Sequence, residues 1–421
     1  MKKGILKRSI CFCTAAILLV MLTTGCPAFY YSVDDNAADE EASTEQNMET
    51  AEGIDDTENV EEVLANNESD TSVEVALPEE PSIEDFGDYV EEGGSISLVI
   101  NDSTLEDGTY NQPIYEGVKQ YACSAGVSYS YYISEGSADE DYTNALLKAL
   151  SFDTCDLVVV AGNVFENVIA PVMEDYPDIE FLLVDCIPLD ENGKETDIPE
   201  NAACISFREE FSGYLAGYMS VLDGYRSFGF IGGKSVDSVK RYGYGYLLGI
   251  DDAAKKEGVS DGVNVHYWYA ESFYPSDEIY DMADDWYHSG VEVIFCCGGG
   301  LYESVLKAAE TEDRMIIGVD IDQNSVSDHV LTSAMKGVDR AVTFALDDYF
   351  AYDEWPEEMA GKDTEYGVDD YCTILPISVW RFSNVTEDDY DEVLNSLRAG
   401  DIKVNISLKS FPKTSFTVYQ Y

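Results

Sequence analysis

From residue 94 onward, short apolar runs alternate with longer segments whose apolar positions recur at helical spacing. Residues 95–100, 127–133, 156–161, 179–185 and 202–207 read as strands, with helices at 112–125, 139–151, 165–175 and 209–222. A second series follows, with strands at 227–231, 263–269, 291–297 and 315–319. Its helices fall at 236–256, 275–289 and 301–310. Such βαβ alternation predicts an α/β chain with mostly parallel sheets covered by helices on both faces. The runs Leu157-Val-Val-Val160 and Val291-Glu-Val-Ile-Phe295 suit strands buried on both sides. Two series predict two doubly wound lobes joined by a hinge, alike in architecture but without a clear internal repeat. Lobe 1 is expected at about 93–223 and lobe 2 at about 226–350, with the last stretch, roughly 369–421, returning to lobe 1 and finishing both sheets.

The pattern before residue 93 is different. Met1-Lys-Lys-Gly-Ile-Leu-Lys-Arg8 is basic, 11–22 is apolar, and Thr23-Thr-Gly-Cys26 follows, which is the order of a bacterial export signal over residues 1–26. Its end resembles a lipobox, with Thr23 where leucine is usual and Leu22 one place early. Lipidation at Cys26 is expected; an uncleaved anchor and an ordinary secreted signal are the alternatives. Residues 27–92 are acidic and polar, and no Lys or Arg occurs between Ser9 and Val118. Like charge with little apolar content cannot offset chain entropy, so 27–92 is expected to be a disordered stalk carrying the 93–421 domain. The expected location is the outer side of a bacterial cell membrane, held there by the N-terminal lipid.

Charge narrows the partners. With 83 acidic and 24 basic residues, a formal net charge of −59, the chain is unsuited to nucleic acid, whose phosphates need Lys and Arg. The same balance argues against docking on anionic lipid through a basic patch. Three histidines and no Cys-x-x-Cys argue against zinc, and nothing calls for a cofactor. Most cysteines outside the signal, including Cys155, Cys186, Cys204, Cys296 and Cys297, sit in or beside apolar runs and read as buried free thiols. The chain carries no Gly-x-Ser-x-Gly elbow, no zinc helix and no Ser/His/Asp set, so a catalytic site is not expected.

Candidate chemistry gathers at strand ends, where ligands bind in open α/β sheets. Ile316-Ile-Gly-Val-Asp-Ile-Asp-Gln323 puts Asp320 and Asp322 at the end of a buried strand. Leu98-Val-Ile-Asn-Asp102, with Asp107-Gly-Thr-Tyr-Asn-Gln112, does the same in the first series. A carboxylate there can accept two hydrogen bonds from a polyol or a base edge. Asp320 contacts a ligand or caps the next turn, and Asp322 reads as a cap. Gly232, Gly233 and Gly298–Gly300 let backbone approach a ligand or form tight strand-to-helix turns.

Several segments together resemble the basic membrane protein family of substrate-binding lipoproteins, which includes the purine-nucleoside receptors of ABC importers. They are Leu98–Asp102 with 107–112 and Tyr115-Glu-Gly117, Tyr176-Pro-Asp-Ile-Glu-Phe181 with Val184-Asp185, and Ser206-Phe-Arg-Glu-Glu210 with Gly213-Tyr-Leu-Ala-Gly-Tyr218. Further along come Gly229-Phe-Ile-Gly-Gly233, Tyr242-Gly-Tyr-Gly-Tyr246 with Gly249, 318–323 and Val330-Leu-Thr-Ser-Ala-Met-Lys336. The resemblance implies a bilobed type I periplasmic-binding-protein fold. It implies a receptor that passes a nucleoside to ABC permease subunits; a sensory lipoprotein, or a different small polar ligand, is the alternative. It implies ligand contacts at Asn101, Asp102, Tyr110, Asn111, Asn167, Tyr242, Asp320 and Lys336. Tyr110 and Tyr242 would sandwich the base, Asp320 would take the ribose diol, and Asn101 replaces a base-reading aspartate. Each tyrosine is alternatively a packing aromatic, and Lys336 alternatively a surface lysine.

Overall fold

In the computed structural model, which describes residues 95–151, 155–352 and 354–421, strands form where the apolar runs are. β1 (Ser95–Ile100), β2 (Ser128–Ile133), β3 (Leu157–Ala161), β4 (Glu180–Val184) and β5 (Ala202–Phe207) belong to one sheet. β6 (Ser227–Gly232), β7 (Asn264–Tyr269), β8 (Val293–Cys297), β9 (Met315–Asp320) and β10 (Val330–Met335) belong to a second. β11 (Asp363–Tyr366) and β12 (Thr417–Gln420) close an edge of each, giving the orders β11-β5-β4-β3-β1-β2 and β10-β9-β8-β6-β7-β12. Every ladder in the two sheets is parallel. The central strands β3 and β8 are buried at every position, as helices on both faces require.

Helices α1 (Asn111–Ala125), α2 (Asp139–Ala149) and α3 (Glu166–Asp175) flank the first sheet. Those packed on the second are α5 (Asp237–Glu257), α6 (Asp277–His288) and α7 (Tyr302–Glu312). The two remaining long connections swap sides. α4 (Glu209–Asp223) leaves β5 of the first sheet but buries Phe211, Tyr214 and Leu215 among Phe228, Tyr246 and Ile250 of the second lobe. α8 (Val338–Phe350) leaves β10 of the second sheet and packs Val338, Ala341 and Ala345 against Ile96 and Ile114 of the first.

This corrects the expected lobe boundaries. Lobe 1 ends near residue 208 and regains 338–366; lobe 2 includes α4, and residues 369–421 complete lobe 2 rather than lobe 1. α9 (Glu387–Arg398) joins the lobe 2 core through Tyr390, Val393 and Leu394, and β12 pairs with β7. The physical reason is apolar complementarity in α4. Gly213 and Gly217 lie on the α5 backbone at Tyr242 and Tyr246, while Gly245 and Gly249 of α5 lie on the α4 backbone at Glu210 and Tyr214. With no Cβ at four reciprocal positions the two helix backbones touch, which favours this partner over the lobe 1 face.

Three crossings therefore run side by side and form the hinge. Arg208 N donates to Tyr366 O at 2.9 Å, Met335 N to Ile374 O at 2.9 Å, and Gly337 N to Cys372 O at 2.7 Å.

Candidate functional site

The carboxyl ends of both sheets face one another across this hinge, and a buried charge cluster joins them. Asp185 follows β4 of lobe 1; Asp320 ends β9, the matching strand of lobe 2. Both follow a valine, and both adopt left-handed backbone, with φ of 49° and 66°. Non-glycine residues in that region are uncommon and concentrate where structure holds a side chain in a set direction. Lys336 stands one residue beyond β10, pinned by a bond from its N–H to Asp320 O at 2.8 Å. Its ammonium donates to Asp185 Oδ2 at 2.5 Å and to Glu209 Oε1 at 2.8 Å. Glu209 is the first residue of α4, so lysine and carboxylates tie lobe 1, lobe 2 and a crossing together.

One ammonium faces three carboxylates. Glu209 Oε2 has no hydrogen-bond partner, and Arg241 Nε stops at 3.8 Å from it. Burial pushes the Glu209 carboxyl up to about 7, against the pull of Lys336. Burial likewise raises Asp320 to about 6, although Lys336 and the Tyr242 hydroxyl both favour its ionised form. Lys336 would be lowered by burial, but Asp185, Glu209 and Asp320 outweigh that and raise it, so it stays charged. The cluster suits a ligand rich in hydrogen-bond donors and disfavours a phosphorylated one.

The aromatic positions divide. Tyr110 is partly buried, its hydroxyl donates to Val184 O at 3.2 Å, and Lys336 Nζ lies 5.4 Å from its ring centroid. Gly162, at φ 104°, leaves room for the Tyr110 ring edge 3.4 Å from where a Cβ would stand. Tyr242 is 2 % exposed, packs edge-on against Phe295 at 5.9 Å, and donates its hydroxyl to Asp320 Oδ1 at 3.0 Å. Its backbone is held against Gly213. The structure thus makes Tyr242 a core ring that orients Asp320, where a base-stacking face was expected.

Other expected contacts turn out to be local. Asn101 Oδ1 accepts from Ser103 N at 3.0 Å and from Asn111 Nδ2 at 2.9 Å, so the pair shapes the loop that presents Tyr110. Asn111 is fully buried, with Oδ1 unpartnered. Asp102 is exposed, and its charge adds to burial in raising the Tyr274 hydroxyl of lobe 2 above its ordinary range. Gln323 Nε2 of lobe 2 bridges to lobe 1, donating to Gly108 O at 3.2 Å. Asn167 is not brought to the cluster. α3 buries Val168, Ile169, Val172 and Met173, which turns Asn167 outward into a groove of about 270 Å³ beside Thr143 and Leu147 of α2. Asp322 caps its turn, accepting from Asn324 N at 3.0 Å.

Asp185 and Glu209 were not among the expected contacts. Their signal was present: Val184-Asp185 repeats Val319-Asp320 at a strand end, and Glu209 sits at a strand-to-helix junction. Among the described residues, Asp284, His288 and Glu312 could hold a cation. They lie on α6 and α7, however, and His288 already bridges the two carboxylates at 3.4 and 3.5 Å. The seven described cysteines are free thiols, all buried except Cys123. Among the described residues no helix is long and apolar enough to cross a membrane. The signal segment, Cys26 and the acidic stretch to residue 92 lie outside the described residues.

Comparison with known proteins agrees with this architecture. Solute-binding proteins of ABC transporter systems from Aeropyrum pernix and Conexibacter woesei share the fold, with TM-scores of 0.62 and 0.56. They are 18% and 17% identical, each covering 74% of this chain and 92% and 98% of the respective structures. The CD4+ T-cell-stimulating antigen of Listeria innocua is 25% identical over 331 residues, 74% of this chain and 87% of the relative. Basic membrane protein B of Borreliella afzelii is 27% identical over 320 residues, 72% and 85% of the two chains. The ABC transporter nucleoside-binding protein BmpA of Lactococcus lactis is 25% identical over 271 residues, 58% and 72%. A family profile described as ABC transporter substrate-binding protein, PnrA-like, matches residues 95–410. With that match across both lobes and the hinge cluster, the chain belongs to the Bmp family of ABC transporter substrate-binding proteins.

Proposed function

We propose that this protein captures a nucleoside, purine-like in its base, in the cleft between its lobes and presents it to ABC permease subunits. The observation that carries this reading is Asp320: a buried carboxylate at a strand end, oriented by Tyr242, in a cluster whose lysine lies over the Tyr110 ring. A vicinal diol offers two donors to one carboxylate, a directional contact that also relieves the uncompensated charge. The nucleoside-binding relative in Lactococcus lactis supports the same ligand class. The reading is of a binding protein rather than an enzyme, because the lysine and carboxylates engage one another at the hinge. We read it as anchored outside a bacterial cell membrane through lipid at Cys26, on the order of residues in the first 26.

Isothermal titration of the full chain with adenosine, guanosine, inosine and uridine tests the ligand class. A purine nucleoside binding more tightly than uridine supports it; no binding by any of the four overturns it. Fatty-acid labelling of the wild type and not of Cys26→Ser supports the anchor, and equal labelling of both overturns it.

A further inference from the structure

One side-chain amide joins the turn after β9 to the loop after β1. Gln323 is 1 % exposed, and its Oε1 accepts from Val319 N at 3.1 Å, next to Asp320. Its Nε2 donates across the lobes to Gly108 O at 3.2 Å. Val319 offers a donor here and Gly108 an acceptor, so an amide in this one orientation serves both. Gly318 makes the fold-back possible, because a Cβ there would fall on the Gln323 amide oxygen.

Both ends of this bond are held within their own lobe. On lobe 2, Gln323 N donates to Ser333 Oγ at 3.0 Å, and Ser378 Oγ donates to Asp322 Oδ2 at 2.5 Å. Arg381 grips the next residue, donating to Asn324 Oδ1 and O at 2.8 and 3.0 Å. On lobe 1, Asp107 caps the loop, with Oδ1 accepting from Thr109 N at 2.9 Å and Oδ2 from Asn111 N at 3.0 Å. Gly108 sits inside that capped turn at φ 66°, backbone that glycine adopts freely. With neither turn free to follow the other, parting of the lobes breaks the Nε2 bond.

We propose that Gln323 is the latch of the closed cleft, a positioning residue that sets how long a bound nucleoside is retained. It ties the strand end that presents Asp320 to the loop that presents Tyr110, and acts on the ligand through them. In the open form its amide and the Gly108 carbonyl are hydrated, so encounter with ligand does not depend on it. In the closed form the bond forms away from water, and release must break it. This inference rests on the nucleoside reading and concerns dissociation from that site.

The test is stopped-flow association and dissociation of adenosine and inosine with the full chain and its Gln323→Glu and Gln323→Met variants, at pH 5 and pH 8. At pH 8 the new carboxylate still accepts from Val319 N but has no proton for Gly108 O. Dissociation should be about tenfold faster than in the wild type, with association within about twofold. At pH 5 the carboxyl takes up a proton, favoured by burial and by Asp107, Asp320 and Asp322 beside it or beside Gly108 in the chain. It then donates to Gly108 O, and its deficit against the wild type at the same pH should shrink to about twofold. Gln323→Met keeps the length without donor or charge, so it should release ligand about five- to tenfold faster at both pH values. It decides the matter alone if Gln323→Glu does not fold at pH 8. A loss confined to association overturns the latch, as does a Gln323→Glu deficit equal at both pH values. If the wild type binds neither nucleoside, the nucleoside reading fails and the latch with it. If it binds and both variants release ligand at the wild-type rate, only the latch is overturned.

Discussion

The two lobes share a strand order and a Val-Asp strand end in left-handed backbone, yet they use the aspartate differently. In lobe 1, Asp185 is bonded to the Lys336 ammonium, which arrives from the other sheet. In lobe 2, Asp320 is bonded to a tyrosine of its own lobe and is only near that ammonium. One copy of the geometry thus ties the hinge, and the other is left with hydrogen-bonding capacity for a guest. A shared backbone device does not fix a role; the neighbouring charge does.

Breaking the shared lysine should have the largest effect. Lys336→Met leaves Asp185 and Glu209 buried without their counter-charge and should cost about 3–5 kcal/mol in urea unfolding. The loss should be greater at pH 8 than at pH 5, because protonation relieves the stranded carboxylates. A loss under about 1 kcal/mol at pH 8 would mean that the cluster is hydrated rather than buried.

The aspartates themselves should separate stability from binding. Asp320→Ala should weaken adenosine by about 1–3 kcal/mol in titration, since the ribose hydroxyls lose their acceptor. Asp320→Asn should make the unliganded protein more stable at pH 8. Its folded pKa of about 6 lies above the ordinary 3.8, so its stabilising contribution is present in acid and is lost as pH rises through about 6. Asp185→Asn should do the reverse, lowering stability by about 1–3 kcal/mol with less effect on adenosine affinity once folded. Identical behaviour of the two variants would erase the distinction between the lobes.

The helix swap predicts an effect of similar size at a distance. Gly213→Ala places a methyl on the Tyr242 carbonyl. Despite alanine's better helix propensity it should destabilise by about 1–3 kcal/mol, read from the thermal midpoint. Smallest is the pH dependence of binding. Ribose donors favour ionised Asp320, so binding lowers its pKa and releases a proton near pH 6. Adenosine affinity should be about fivefold weaker at pH 5 than at pH 7.5, with the released proton visible as a buffer-dependent enthalpy.

The strands and helices from residue 95 to 320 were legible because each carries its own apolar period and ends in turn residues. What sequence could not convey is which surface a helix chooses. α4 and α8 have apolar faces that suit either lobe on paper, and only the reciprocal glycines of α4 and α5 decide for one of them. The same limit explains Tyr242 and Asn167. Each stands at a position matching a ligand contact, but helix rotation buried the first and turned the second outward. Asp320 and Tyr110 stand at a strand end and in a loop just before a helix, positions that do not depend on how a helix is rotated.

The exchange of α4 and α8 also bears on the order in which the chain can fold. Lobe 1 lacks a covering helix and an edge strand until residues 338–366 have been synthesised. Lobe 2 lacks β12 until the last residues of the chain. A nascent chain released up to residue 225 would carry α4 with its apolar face uncovered, because α5 does not yet exist. Folding therefore cannot proceed one lobe at a time from the N-terminus, and native contacts of large sequence separation make it slow. Fragments cut at the hinge will expose apolar helix surface and aggregate, whereas the intact chain closes both cores together.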